Sequence, residues 1–119
     1  MKPWCHTLAL SRGHALDQFN VYLVSLDPTQ GSEIPKPRPC LVVSPNEMNH
    51  TLRTVLIAPM TTSLRNYPSR VRTTFQKIKS DIVLDQIRAV DKTRLVKKLG
   101  SVHQTTSSKS LAKLQEMFA

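Results

Sequence analysis

Between Val21 and Val102 the chain repeats one device: a short apolar or β-branched run followed by a polar or proline-bearing break. "VYLVSL" (21–26), "CLVVS" (40–44), "TVLIAPM" (54–60), "VRTTF" (71–75), "DIVLDQIRAVD" (81–91) and "LVKKLGSV" (95–102) all read as strands. They carry the Val, Ile, Thr and aromatic residues that suit a pleated, half-buried surface, and they are too short for core helices. "VRTTF" alternates only weakly and is expected at an edge. Asp85 and Gln86 interrupt the fifth run. On a pleated strand neighbours face opposite sides, so one of the two is expected to point into a site or an interface. "PNEMNHTLR" is read as a turn holding one helical turn.

The period changes after Val102. Leu111, Leu114 and Met117/Phe118 recur at helical spacing, and Thr105 to Ser108 offer helix-capping side chains. One amphipathic C-terminal helix is expected to pack on the strands. Short strands at close spacing, then one helix, predict a mainly β chain with a C-terminal helix (α+β), built as a small, strongly bent sheet or barrel. There is no βαβ alternation and no internal repeat.

At 119 residues the chain has the size of one ordinary domain. Residues 1–17 show no periodicity and are read as a loosely held lead-in, with the domain proper spanning 18–119. Charge says more about partners. Seventeen Lys+Arg against eight Asp+Glu give a formal net charge of +9, which favours a polyanion, nucleic acid or an acidic protein. No run approaches the ~18–20 apolar residues needed to span a bilayer, and the N-terminus lacks the apolar core of a signal peptide. Cys5 and Cys40 lie far apart in unlike contexts, so Cys40 is read as a small buried hydrophobe in a reduced, cytosolic protein. His6, His14, His50 and His103 show no ligand spacing, and neither a metal nor a cofactor is expected.

The polar motifs gather around strand ends. In "SEIPKPRPCLVVSP" (32–45), Pro35, Pro37 and Pro39 alternate with Lys36 and Arg38 before the apolar run. Such spacing stiffens a loop, with Pro39 placed where a strand end needs no N–H; a proline-rich ligand for an aromatic groove is the weaker reading. Arg38 carries a rigid fork of donors suited to phosphate, or else pairs with Glu33. Thr61 and Thr62 open a loop with Ser63, Arg65 and Asn66, where hydroxyls bind phosphate or simply cap the turn. From Arg65 to Lys98 the cations read as a solvated basic face able to follow a phosphate backbone.

Four segments together resemble the MazF/PemK (Kid) family of toxin endoribonucleases: "VYLVSLDPTQGSE", "RPCLVVSP", "TVLIAPMTT" and "IVLDQIRAVDKTRL". Their order and spacing are similar to the family over about residues 20–117. The resemblance implies a small SH3-like barrel of the CcdB/MazF type and a homodimer. It also implies metal-independent cleavage of single-stranded RNA at a short sequence, leaving a 2′,3′-cyclic phosphate (or 3′-phosphate) and a 5′-hydroxyl. Its implied partner is a MazE-like antitoxin with an acidic tail, with DNA contacted only through that antitoxin.

By position, Arg38 matches the family's catalytic arginine and Thr61 its catalytic Ser/Thr, while Ser32, Glu33, Lys36, Thr62 and Gln86 fall along the RNA groove. The acid–base pair does not carry over. Where some relatives have an arginine two residues before the strand's Asp this chain has Val83, and no histidine lies between Val21 and Arg38. Asp85 is then the leading group for acid–base or RNA-orienting work, ahead of His50. The entry to the first strand departs as well, with Gln18-Phe19-Asn20 in place of Arg-Gly-Asp/Glu. The competing class is a CcdB-like toxin that poisons DNA gyrase by contact through its C-terminal helix and dimer surface, with Arg38 an ordinary salt-bridge residue.

Overall fold

The computed structural model describes residues 16–26 and 36–119. Among these residues seven strands are formed: β1 (Asn20–Val24), β2 (Arg38–Val42), β3 (Thr54–Thr61), β4 (Arg70–Phe75), β5 (Ile78–Val83), β6 (Arg88–Asp91) and β7 (Leu95–Ser101). Helix α1 (Asn46–Asn49) is a single turn between β2 and β3, and α2 (Gln104–Met117) closes the chain. All pairings are antiparallel, in the order β4-β5-β3-β2-β1-β7, with β6 added to the first half of β3. Because β3 takes β6 along its first half and β5 along its second, the sheet curls into a half-open barrel rather than lying flat.

The strands' alternation separates two apolar layers. Tyr22, Val24, Cys40, Val42, Val55, Ile57 and Val90 pack with Leu16 on one face. Val21, Leu41, Val43, Ala58, Met60, Val71, Ile82 and Leu84 pack on the other, beneath Leu114 and Met117 of α2. Leu16 belongs to the first layer, and His50 Nε2 lies 3.0 Å from its carbonyl oxygen and 3.4 Å from Asp17 Oδ1.

Three local expectations need correction. "DIVLDQIRAVD" is not one strand: β5 ends at Val83, a 3-10 turn covers Leu84–Gln86, and β6 starts at Arg88. Asp85 and Gln86 therefore both face solvent instead of opposite sides of a sheet. The reason lies in β3, whose Met60 pairs with Ile82 while its Ile57 pairs with Arg88; the turn takes up the slack in between. The helix is capped by His103, whose Nδ1 accepts the Thr105 N–H at 3.2 Å, and not by the Thr105–Ser108 group, which lies inside it. Thr106 and Ser110 are its buried residues and Leu114 and Met117 are half-buried beside them, leaving Leu111 and Phe118 exposed. Small polar residues let the helix approach closely, and they are satisfied: Thr106 Oγ1 is 2.9 Å from Thr73 Oγ1, and Ser110 Oγ donates to the Thr106 carbonyl.

The β4–β5 hairpin turns on Gln76 and Lys77 alone, with φ of 52° and 68°, between the paired Phe75 and Ile78. Two positive φ values are what a two-residue turn needs to match strand twist, and side chains with a Cβ resist them. Lys77→Gly is expected to stabilise the protein by about 0.5–1 kcal/mol, read as a higher urea midpoint at unchanged slope.

Candidate active site

Arg38 opens β2 and Thr61 closes β3, two adjacent antiparallel strands. Their ladder pairs Cys40 with Pro59, and continuing it by two residues sets Arg38 opposite Thr61. Directly opposite residues point to the same face with Cβ atoms about 5 Å apart. Thus Arg38 and Thr61 stand at one end of the sheet, and the alternation assigns both to the face that Cys40 and Val42 line further in. Pro39 precedes the ladder to β3, so its missing N–H breaks no pairing there.

Arg38 is exposed, while two residues on Cys40 is wholly buried. That contrast fixes the base of the arginine in the sheet and leaves its head in solvent. Burial pushes the Cys40 thiol up to about 12 against the opposing pull of the Arg38 and Arg88 charges, so it stays protonated and is no nucleophile. Thr61 Oγ1 accepts the Ser63 N–H at 3.1 Å, which caps the turn and leaves the hydroxyl proton to be donated. Turn capping and phosphate binding are therefore compatible at this residue.

Asp85 sits on the 3-10 turn that runs beside Ala58 and Pro59 of β3, and its Oδ1 accepts from Ser69 Oγ at 3.0 Å. Gln86 follows on the same exposed turn, and Thr62 is exposed just past β3. Lys36 is exposed two residues ahead of Arg38. Ser32 and Glu33 lie outside the described residues. His50 is not part of this group: it follows α1, before β3, and its ring lies against the Leu16 carbonyl and Asp17. Among the described residues, no cluster of three or more His, Cys, Asp or Glu is placed to hold a metal. No helix among them is long and apolar enough to cross a membrane.

The basic stretch from Arg65 onward is more organised than a solvated face. Asp81 is 1% exposed and stands opposite both Thr61 of β3 and Arg72 of β4. Its carboxylate accepts the Arg65 N–H at 2.8 Å, Arg70 Nη1 at 3.2 Å and Arg72 Nε at 2.8 Å. Arg70 also reaches the Ser63 carbonyl, and Arg72 the Arg65 carbonyl. Burial alone would raise the carboxyl's pKa, but the Arg72, Arg65 and Arg70 hydrogen bonds override it and hold it down at about 2. One buried acid thus ties down the loop that follows Thr61. A lone acid opening an apolar run, across from arginines spaced i, i+2, was the available sequence signal.

The sequence pattern of the PemK-like, MazF-like toxins of type II toxin–antitoxin systems matches residues 17–118. Over 86 residues, 67% of this chain and 72% of the relative, the chain is 37% identical to the protein named Endoribonuclease MazF from Staphylococcus epidermidis. A chain of the MazE–MazF crystal structure from Deinococcus radiodurans superposes with a TM-score of 0.77 at 21% identity, covering 88% of this chain and 96% of that one. A mycobacterial endoribonuclease solved with its cognate antitoxin gives a TM-score of 0.72 at 26% identity, covering 86% and 93%. With a match that spans nearly all of the described chain, this protein belongs to the PemK-like, MazF-like toxin family of type II toxin–antitoxin systems.

Proposed function

We propose that the protein is a toxin endoribonuclease that cuts single-stranded RNA at a short specific sequence and is neutralised by a MazE-like antitoxin with an acidic tail. The observation that carries this reading is the placement of Arg38 at the start of β2 and Thr61 at the end of the adjacent antiparallel β3, a cation and a hydroxyl donor at the same end of the sheet. Membership of the toxin family and the curated relative's name support the same class, and favour it over gyrase poisoning.

RNA brings its own nucleophile, the 2′-hydroxyl beside the scissile phosphate, so no metal-bound water is required. In the proposed reaction that oxygen attacks phosphorus, the 5′-oxygen leaves with a proton, and a 2′,3′-cyclic phosphate remains. Arg38 meets the negative charge that grows on the phosphorane oxygens, and Thr61 donates to the same phosphate. Arginine holds its proton too firmly to act as base, so Asp85 is the group we assign to proton transfer or to orienting the RNA. Lys36, Thr62 and Gln86, with Ser32 and Glu33, are assigned to the RNA groove, where polar side chains read splayed bases. The reading includes a homodimer acting in the cytoplasm without a cofactor, and DNA contact through the antitoxin alone.

Purified protein incubated with a long single-stranded RNA in EDTA is expected to give discrete fragments with 5′-hydroxyl ends. Sequencing those ends yields the recognition sequence. Intact RNA under these conditions, together with lost supercoiling activity of gyrase, would reverse the assignment.

A further inference from the structure

The registers place Thr61 of β3, Asp81 of β5 and Arg72 of β4 in one line across the sheet, and extending the β2–β3 ladder by two residues brings Arg38 of β2 to its far end. Strands lie about 4.8 Å apart, so Arg72 stands roughly 14 Å from Arg38 along this line. That is too far to serve the scissile phosphate and suits a flanking nucleotide of the same strand. The line ends in a cleft of about 340 Å³ between β4 and α2, lined by Arg70, Arg72, Lys109, Lys113 and Glu116 over Val71. Glu116 pairs with Lys113 at 3.0 Å, and Asp81 with both arginines, which leaves four cations against two acids.

An aromatic ring stacks on Arg70, one of the residues lining the cleft. Tyr67, 56% exposed, lies on the loop after Thr62, with the Arg70 guanidinium carbon 5.2 Å from its ring centre. Arg70 is pinned by Asp81 and by the Ser63 carbonyl, and its Nε is buried without a partner among the described residues. An exposed ring backed by a fixed cation, beside a basic cleft, is the arrangement on which single-stranded nucleic acid stacks a base and lays down its phosphates.

We propose that Tyr67, Arg70, Arg72 and the β4/α2 cleft form an accessory subsite that holds an RNA nucleotide flanking the cleavage sequence. This rests on the endoribonuclease reading and extends it beyond the Arg38–Thr61 end. Two RNAs test it: one limited to the cleavage sequence, the other with unstructured single-stranded extensions on both sides. Tyr67→Ala and Lys109→Glu are the variants, since neither residue touches the Asp81 carboxylate.

Wild type is expected to show the lower KM on the extended RNA. Each variant should raise that KM about tenfold, leaving kcat and the KM of the short RNA unchanged. Equal KM values for both RNAs in wild type, or equal effects of the variants on both, would overturn the subsite while leaving the nuclease assignment intact. Wild type that cuts neither RNA removes the nuclease assignment and the subsite with it. A poly-aspartate peptide added as competitor separates the other anionic occupant. If the variants weaken its inhibition but leave the extended-RNA KM alone, the cleft takes an acidic chain and the RNA subsite is wrong.

Discussion

Arg38→Ala is expected to slow RNA cleavage by two to three orders of magnitude, with the fold and RNA affinity largely kept. The expected loss follows from comparable sites, in which one preorganised donor to a developing oxyanion contributes about 3–4 kcal/mol. The fold survives because the guanidinium is exposed and the burial begins behind it, at Cys40. Single-turnover cleavage measures the chemical step directly, and an unfolding curve on the same sample checks stability. Arg38→Lys should recover only a small part of the rate, since an ammonium keeps the charge but lacks the planar fork. Cleavage by Arg38→Ala at the wild-type rate would remove Arg38 from the site and with it the reading of the Arg38–Thr61 pair.

The second large effect concerns stability. Asp81→Asn is expected to cost about 2–3 kcal/mol, because it removes a buried charge that two guanidiniums and a backbone N–H converge on. The figure is set below the ~3–5 kcal/mol for breaking a fully buried pair because Arg72 is 40% exposed and water screens its share.

The same residue sets an acid limb. Its folded pKa of about 2 lies below the ordinary 3.8, so the unfolded chain takes up its proton first as pH falls. The stabilisation is complete above about pH 4 and is lost as pH drops from there toward 2. Urea unfolding across that window should show wild-type stability falling and Asp81→Asn changing less. Parallel pH profiles would assign the acid limb to other carboxylates.

Much of the fold was legible because it rests on local pattern. Alternation and β-branching located the strands, and helical spacing located α2. The sheet-end placement of Arg38 and Thr61 followed from where each apolar run begins or stops. The misreadings come from elements that depend on what lies opposite. Asp85-Gln86 looked like a mid-strand pair because the residues on either side are apolar, yet β3 changes partner there and forces a turn. Leu111 and Phe118 looked like core by spacing, yet the helix settles on Thr106 and Ser110, whose small size allows closer contact with β4. Arg70 and Arg72 looked like solvated cations because their common partner lies nine or more positions further along the chain.

By itself, the sequence determined that this chain builds short strands and one helix, that its surface is strongly basic, and that Arg38 and Thr61 stand at strand ends. Those properties depend on side-chain type and near neighbours. Only the tertiary structure decided that Arg38 and Thr61 share one end of neighbouring strands, that Asp81 is the buried hub of the following loop, and that Tyr67 stacks on Arg70 of a cationic cleft. These depend on register between strands distant in sequence. A one-residue slip would turn each of the strand side chains among them to the opposite face.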